Sequence, residues 1–252
     1  MKDNLVLGVD IGGTGIKGAL VDVKNGKMTT ERFRLETPQP STPKNVAATF
    51  KKIVDHFKWK GKIGVGFPAV IKKGVSLTAS NVDKGWIGTD VAKLLQNASK
   101  CPVTVLNDAD AAGVAEVAFG EGKDVKGTVI LITVGTGIGS AIFLDSQLLT
   151  NTEFGHIYLK GHKEVAEKYA SNTARKVDDL SWSDWGNRFE DYLGHLQFIF
   201  NPDLFILGGG ASKKYDKFED VIQIKTPIKT AKLLNEAGII GAAVRANQLL
   251  NK

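Results

Sequence analysis

Two copies of one glycine-rich tetrapeptide, GTGI, stand about half a chain apart, at Gly13–Ile16 and Gly135–Ile138. Each copy follows a run rich in β-branched residues and leads into a second such run. A glycine-rich hairpin presents several backbone N–H groups to one point, and such a turn can bind an anion. Two of these turns, one in each half, indicate a site for a phosphate chain and hence phosphoryl-transfer chemistry.

Residues next to the two copies add groups that suit a phosphate donor. Asp10 ends the first run and can orient a magnesium-bound water, Thr14 offers a hydroxyl, and Lys17 a positive charge. The alternative is an ordinary glycine hairpin in which Asp10 accepts local N–H bonds. A third glycine cluster follows a short apolar run and lets a phosphate chain or a flat base approach the backbone. The predicted donor-binding residues are Asp10, Gly12, Gly13, Thr14, Lys17, Thr133, Gly135, Thr136, Gly137, Gly208, Gly209 and Gly210, with Asp10 also the predicted magnesium residue.

A polar pair, Asn107 and Asp108, follows the apolar run Val103–Leu106. Ligands of α/β proteins gather at the carboxyl ends of strands, so both side chains are expected to face a ligand. A carboxylate at this place can accept the proton of a sugar hydroxyl as that oxygen attacks phosphorus. Alternatively, Asp108 is only the N-cap of the next helix, a role for which Asp110 is equally suited.

Glu153, His156 and Glu167 form a third polar set. Each of them alone fits a structural or surface role as well as a binding role. Together with Asn107 and Asp108 they would provide the several donors and acceptors that a polyhydroxylated ligand needs.

The hydrophobic pattern predicts the elements that carry these residues. Strands are expected over 5–10, 16–22 and 27–35 in the first half, and over 128–134, 140–145 and about 147–150 in the second. Helices are expected after the Thr42 N-cap, over 163–172, over 183–200 with Ser183 as N-cap, and over 237–250. Two such sets of strands and helices predict an α/β protein of two lobes facing a cleft.

We expect a small N-terminal lobe over residues 1–108 and a larger C-terminal lobe over 109–238. The C-terminal helix, about 239–252, is expected to pack back on the first lobe.

Composition restricts the class of protein. The chain has 252 residues, a net charge of +6 and a single cysteine, Cys101. One cysteine excludes an intramolecular disulfide and a thiolate-rich zinc site. No apolar run approaches the roughly 20 residues of a membrane span, and the start lacks the pattern of a secretory signal. We therefore expect a cytoplasmic protein without membrane or nucleic-acid partners, since its lysines are scattered rather than grouped.

These motifs resemble those of the ROK sugar kinases, members of the actin/hexokinase-like (ribonuclease H-like) ATPase superfamily. The resemblance rests on Asp10–Thr14, Leu106–Asp108, Val134–Gly137, the Glu153–His156 motif and Gly208–Gly210. It implies a two-lobed fold with a duplicated strand-triplet core and an interlobe cleft. It also implies that Asp108 is the general base for the sugar 6-hydroxyl, and that Asn107, Glu153, His156 and Glu167 bind the sugar.

One departure from the family pattern indicates which subgroup of the family this sequence resembles most. Most ROK kinases carry a cysteine-rich zinc motif soon after the histidine of the Glu-x-Gly-His motif, and this chain has no cysteine after Cys101. The subgroup without zinc, the polyphosphate glucokinases, is similar over Leu35–Pro40, Ser80–Asp90 and Asn235–Ile239. This similarity implies phosphoryl transfer from polyphosphate, and often ATP, to glucose, with Mg²⁺ and a homodimer. It adds Asn81 as a glucose contact.

Alternatives remain open from the sequence. An ATP-only glucokinase, or a kinase of mannose or an amino sugar, would carry the same motifs. A non-catalytic sugar-sensing repressor would need a DNA-binding segment before the first strand, where only Met1–Asn4 stand. If polyphosphate is the donor, the hypothesis is that Lys17, Lys84, Lys213 and Lys214 line the path of this polyanion.

Overall fold

The computed structural model describes residues 4–79 and 82–250. Its chain divides into two compact units: unit 1 comprises Met1–Phe119 with Asn235–Lys252, and unit 2 comprises Gly120–Leu234. This division differs from the predicted boundaries, because the helix that follows residue 107 belongs to unit 1. That helix packs so closely on the C-terminal helix that a Cβ on Gly241 would clash with the carbonyl oxygen of Ala111. Unit 1, predicted to be the smaller, is the larger.

Groups of one to four strands alternate with helices along the chain. The strands are β1 (Leu5–Ile11), β2 (Gly15–Asp22), β3 (Lys27–Met28), β4 (Phe33–Glu36), β5 (Ile63–Phe67), β6 (Ile71–Lys72), β7 (Val75–Ser76), β8 (Val103–Asn107), β9 (Thr128–Val134), β10 (Ile138–Leu144), β11 (Gln147–Leu149), β12 (Leu204–Gly208) and β13 (Ile228–Thr230). The helices are α1 (Pro43–His56), α2 (Val91–Ser99), α3 (Asp108–Phe119), α4 (Ala166–Ala170), α5 (Asn172–Val177), α6 (Trp182–Phe200), α7 (Gly209–Ser212) and α8 (Ala237–Leu250).

The same sheet topology occurs in both units. In unit 1 the strand order is β3-β2-β1-β5-β8, with β4 also paired to β2; in unit 2 it is β11-β10-β9-β12-β13. The central strands β1 and β9 each pair antiparallel with the next strand of their own hairpin. On the other side each pairs parallel, β1 with β5 and β9 with β12. The duplicated core predicted from the sequence is therefore confirmed.

Helices cover both faces of the unit 1 sheet, and glycines let them approach closely. Helix α8 lies on one face, where a Cβ on Gly8 or Gly64 would clash with backbone atoms of that helix. Gly18 faces the other way, because it is paired with Val9 and its Cβ would lie 2.6 Å from the side chain of Ile53 in α1. The side-chain alternation of the strands thus separates the α8 face from the α1 face.

Unit 2 is built around β9, β12 and the long helix α6. The apolar face of α6 buries Trp185, Phe189 and Leu193 against the sheet. Trp185 stacks on Phe189 at 5.0 Å between ring centroids, and Phe218 meets Trp185 edge-on at 4.9 Å. This aromatic cluster fixes α6 against the sheet of unit 2.

Several predicted elements agree with the structure, and three differ. The prediction of one strand over 27–35 is wrong, because the chain forms two short strands, β3 and β4, that pair with opposite ends of β2. The predicted cap Ser183 is also wrong: the oxygen of Ser181 accepts the N–H of Asp184 and begins α6 at Trp182. The predicted helix over 163–172 is shortened to α4, and α5 follows it directly. None of the helices in the described ranges is long and apolar enough to cross a membrane.

Candidate active site

The first glycine hairpin joins β1 to β2 in unit 1. Its closing pair is Ile11 and Ile16, and the Gly12 N–H donates to the Gly15 carbonyl at 3.0 Å. Gly13 and Thr14 form its exposed tip. Neither Gly12 nor Gly15 has a left-handed backbone. Glycine at these positions is therefore explained by the close approach of neighbouring atoms to the backbone, and not by backbone strain. The tip is therefore a small backbone surface that is accessible from solvent.

Asp10 and Lys17 stand directly opposite each other on β1 and β2. The Lys17 Nζ donates to the Asp10 Oδ2 at 3.4 Å, and both side chains are partly exposed (29% and 21%). Burial raises the pKa of Asp10, and the nearby cations Lys17 and Arg32 oppose that shift. Asp10 is thus a carboxyl group whose ionised form is disfavoured by burial and favoured by the cations beside it.

Asp10 and Asp108 both border the space above Gly66 on β5. From the position that a Cβ on Gly66 would take, the Asp10 Oδ1 is 3.9 Å away and the Asp108 Cα 3.8 Å away. The parallel order β1-β5-β8 brings the carboxyl ends of these strands to one edge, as the α/β rule predicts. Unit 1 therefore places two acids, Asp10 and Asp108, at one sheet edge.

Asn107, rather than Asp108 or Asp110, provides the main cap of α3. Its Oδ1 accepts the N–H groups of Ala109 at 2.8 Å and Asp110 at 3.2 Å, and its Nδ2 donates to the Ala69 carbonyl at 3.2 Å. Asp108 is exposed, and its Oδ1 accepts the N–H of Ala109 at 2.9 Å. The buried Asn107 amide therefore holds the start of the helix, and Asp108 projects from the first turn.

The second glycine hairpin, between β9 and β10 in unit 2, is built differently from the first. Its closing pair is Val134 and Ile138, so the loop contains three residues instead of four. The Gly135 N–H donates to the Gly137 carbonyl at 3.0 Å. A Cβ on Gly135 would meet no atom within 4 Å, whereas a Cβ on Gly137 would lie 2.5 Å from the Glu167 Oε2. Identical tetrapeptides thus have different surroundings.

The Gly208–Gly210 cluster lies beside this second hairpin. Gly208 is paired with Thr133 at the end of β12, and Gly209 forms a parallel bridge with Val134. Gly209 has a φ of +75°, and a Cβ there would clash with the backbone of Val134. Only glycine fits at position 209, for both reasons. The structure therefore gathers Thr133, Gly135 and this cluster at one place in unit 2.

Glu153, His156 and Glu167 also form one group in unit 2. The His156 Nδ1 lies 3.7 Å from the Glu153 Oε2, and its Nε2 lies 3.8 Å from the Glu167 Oε1. The Glu167 Oε2 accepts the N–H of Ile138 at 3.3 Å. Burial raises the pKa of Glu153; His156 opposes that shift, and Glu167 adds to it. Two carboxylates and an imidazole side by side provide several donors and acceptors for hydroxyl groups.

Sequence reasoning missed the residues that hold these loops in place. Thr37 Oγ1 donates to the Gly12 carbonyl at 2.5 Å, and Arg34 Nη2 donates to the Thr14 carbonyl at 3.1 Å. In unit 2 the Ser140 Oγ donates to the Thr152 carbonyl at 2.7 Å and accepts the Phe154 N–H at 2.9 Å. No local pattern reveals these contacts, although the run Phe33–Glu36 alternates as an edge strand would. The predicted glucose contact Asn81 lies outside the described residues.

A duplicated sheet with a glycine hairpin in each copy and acids at the strand ends defines the actin/hexokinase-like class of fold. The chain belongs to the ROK family, whose family model matches residues 6–176. It is 45% identical over 238 residues to a polyphosphate glucokinase of Mycobacterium tuberculosis, covering 94% of this chain and 89% of the relative.

Solved structures are similar over nearly the whole chain. An inorganic polyphosphate/ATP-glucomannokinase from Arthrobacter sp. strain KM is 47% identical, with a TM-score of 0.90, over 97% of this chain and 98% of that one. A ROK family glucokinase from Streptomyces griseus, in complex with glucose and AMPPNP, is 25% identical with a TM-score of 0.82, over 97% and 99% of the two chains. The predicted family and fold are therefore confirmed.

Proposed function

We propose that this protein is a kinase that transfers a phosphoryl group from inorganic polyphosphate, and from ATP, to the 6-hydroxyl of glucose. The observation that carries the proposal is the edge of the unit 1 sheet, where Asp108 and Asp10 border one space next to the Gly12–Gly15 hairpin. Such an edge offers one acid to a hydroxyl nucleophile and another to a phosphate donor. The choice of polyphosphate and glucose is supported by the polyphosphate-using relatives.

Glucose is bound, in this proposal, by Asn81, Asn107, Asp108, Glu153, His156 and Glu167. The contacts within each unit support different roles for them. The Asn107 Oδ1 caps α3, and one Nδ2 hydrogen is donated to the Ala69 carbonyl. The second Nδ2 hydrogen is left for a sugar oxygen. Glu153, His156 and Glu167 already lie side by side, and their oxygens and nitrogens can exchange these contacts for hydroxyl groups.

Asp108 is the proposed general base. Its exposure at the start of α3 leaves its carboxylate accessible to a substrate hydroxyl. The transition state of phosphoryl transfer is loose, so the proton of the 6-hydroxyl passes to Asp108 late, while the bond to the donor is already largely broken. Both glycine hairpins and the Gly208–Gly210 cluster hold donor phosphates through backbone N–H groups, with Lys17 adding a positive charge.

A magnesium ion fits the residues around Asp10. Mg²⁺ is usually held by only one or two carboxylates together with waters and the substrate phosphates. No group of three or more acidic, histidine or cysteine side chains suited to a metal occurs within residues 4–79 and 82–250, so a site built by the protein alone is not expected. Asp10 is a desolvated carboxylate that gains from a nearby cation. When bound, Mg²⁺ would neutralise charge on the donor phosphates.

A specific observation favours mannose as a second acceptor. The 47% identical structural relative is a glucomannokinase. The homodimer and the cytoplasmic location stay predictions from the sequence.

The test is formation of glucose 6-phosphate by the purified protein. Nucleotide-free polyphosphate and ATP are supplied separately, with glucose, mannose and glucosamine as acceptors and the Asp108→Asn variant as control. We expect turnover with polyphosphate and glucose that the variant lacks. Turnover with ATP alone would contradict the polyphosphate assignment, and turnover with neither donor would contradict the kinase assignment.

A further inference from the structure

Three charged side chains stand in a row across the unit 1 sheet, next to the first glycine hairpin. Asp10 on β1 is directly opposite Lys17 on β2, and Lys17 is directly opposite Arg34 on β4. Residues that are directly opposite in a sheet project from the same face. We call these three residues the Asp10–Lys17–Arg34 row. It lies on the face that α8 covers further along the strands, since Gly8 and Asp10 are two residues apart on β1.

The guanidinium group of Arg34 is held against the hairpin. A Cβ on Gly15 would lie 2.7 Å from the Arg34 Nε and 2.9 Å from its Nη2. The Nη2 also donates to the Thr14 carbonyl at 3.1 Å. Arginine has five N–H donors in a planar fork, so most of them are left for another partner. Arg34 is exposed, which makes those donors accessible from solvent.

The charges in the row are not balanced. Two cations placed directly opposite each other in a sheet repel, and within residues 4–79 and 82–250 only Lys17 of the two forms an ion pair, with Asp10 at 3.4 Å. Glu36 follows on the same face of β4, but it forms no ion pair with either cation among the residues that the structure describes. An anion bound between Lys17 and Arg34 would relieve this repulsion.

We propose that Arg34 binds a phosphate of the donor, and that Lys17 and Arg34 together extend the anion site of the Gly12–Gly15 hairpin toward β4 as a subsite for inorganic polyphosphate. The proposal rests on the proposed function for its ligand. Phe33 and Leu35 pack against the unit 1 core. On the face of the row, β4 therefore presents charged side chains rather than an apolar surface on which a nucleotide base could stack. A linear polyanion suits such a row, because each further phosphate can meet the next cation.

Substitution of Arg34 tests this proposal, with Lys27 as a matched control. Lys27 is also an exposed cation on a strand paired to β2, but it stands opposite Asp22 at the end of β2 away from the hairpin. The variants are Arg34→Gln, Arg34→Lys and Lys27→Gln, each checked for an unchanged Tm. The readouts are KM for polyphosphate, ATP and glucose, and the Kd of tripolyphosphate measured by calorimetry without glucose.

We expect Arg34→Gln to raise the polyphosphate KM and the tripolyphosphate Kd roughly tenfold, the effect of losing one hydrogen bond to a charged group. The tripolyphosphate Kd of this variant should also depend less steeply on salt concentration, because one positive charge has been removed. Arg34→Lys should recover part of the loss, and Lys27→Gln should change neither constant. The glucose KM should stay the same.

Two results would overturn the proposal. One is an unchanged tripolyphosphate Kd in Arg34→Gln, and the other is an equal loss in Lys27→Gln. An equal rise of the ATP KM would overturn the assignment of this subsite to polyphosphate. The calorimetric measurement needs no turnover. It therefore tests the role of Arg34 separately from the proposed function, which would be contradicted if the wild-type protein transferred no phosphoryl group from polyphosphate.

Discussion

Asp10 and Asp108 both contact the empty side-chain position of Gly66. Asp10 lies on β1 and Asp108 at the start of α3. From the place where a Cβ on Gly66 would stand, the Asp10 Oδ1 is 3.9 Å away and the Asp108 Cα is 3.8 Å away. The nearest other atom, the Ala111 Cβ, is 3.5 Å from that place. All three distances are ordinary van der Waals contacts, so a methyl group fits there without a clash.

Gly66→Ala should therefore keep the fold but reduce catalysis. The added methyl group would occupy space next to both acids, and small displacements at such a site can cost about a hundredfold in rate. We expect kcat to fall about tenfold to a hundredfold while the Tm stays within a few degrees. Steady-state kinetics and thermal unfolding test this together, and an unchanged kcat would contradict a shared role for the two acids.

Gly137→Ala should weaken glucose binding rather than donor binding. Its Cβ would lie 2.5 Å from the Glu167 Oε2, so the carboxylate must leave the Ile138 N–H and move relative to His156. We expect the glucose KM to rise roughly tenfold, since a hydrogen bond to a charged group is lost. The double variant Gly137→Ala/Glu167→Asp, with a shorter acid, should recover part of this loss.

Gly135→Ala is the matched comparison in the same hairpin. No atom lies within 4 Å of its added Cβ, so the methyl group fits but fills the space that donor phosphates would approach. We expect the donor KM to rise and the glucose KM to stay nearly unchanged. If both variants raised only the donor KM, the link between Gly137 and Glu167 would have no bearing on sugar binding.

Asp108→Ala should abolish most activity and leave stability intact. Loss of a general base typically costs about 10² to 10⁴ in rate. The cap of α3 comes mainly from Asn107, so the Tm should change little. Asn107→Ala, by contrast, removes the cap and should cost about 1 kcal/mol of stability in addition to weakening glucose binding. Retained turnover in Asp108→Ala, measured with saturating substrates, would remove Asp108 from its role.

Asp10→Asn should stabilise the protein at neutral pH. Burial raises the pKa of Asp10 in the folded protein, so the fold binds this proton more tightly than the unfolded chain does. The stability contributed by the protonated form is present below the unfolded pKa of about 4 and is lost as pH rises through the raised folded pKa. Asparagine does not suffer this loss. We therefore expect a higher Tm than wild type at pH 7.

The pH dependence supplies the check on this prediction. The Tm difference should shrink as the pH is lowered below about 4, where wild-type Asp10 is protonated in both states. The control Asp55→Asn alters an exposed carboxylate on α1, paired with Lys51 at 2.6 Å, and should change the Tm little at either pH. A lower Tm for Asp10→Asn at pH 7 would mean that the Lys17 contact outweighs the burial.

Features set by residues close together in the chain were determined by the sequence alone. The strand β9 and the helix α8 have the predicted bounds, and Thr42 caps α1 as predicted, accepting the Asn45 N–H at 3.3 Å. The two GTGI copies also predicted the duplicated sheet, because a repeated motif on repeated strand patterns implies a repeated topology. Periodicity and helix caps act over a few residues, so a single sequence contains them.

Only the tertiary structure decided which distant residues meet. The break between β3 and β4, the row that ends at Arg34, and the contact of Glu167 with the second hairpin all depend on strand register or on packing between remote segments. The two GTGI copies make the point most directly, since one hairpin has four loop residues and the other three. Register is fixed by the pairing of a whole sheet and the burial of its faces, and no local pattern encodes it.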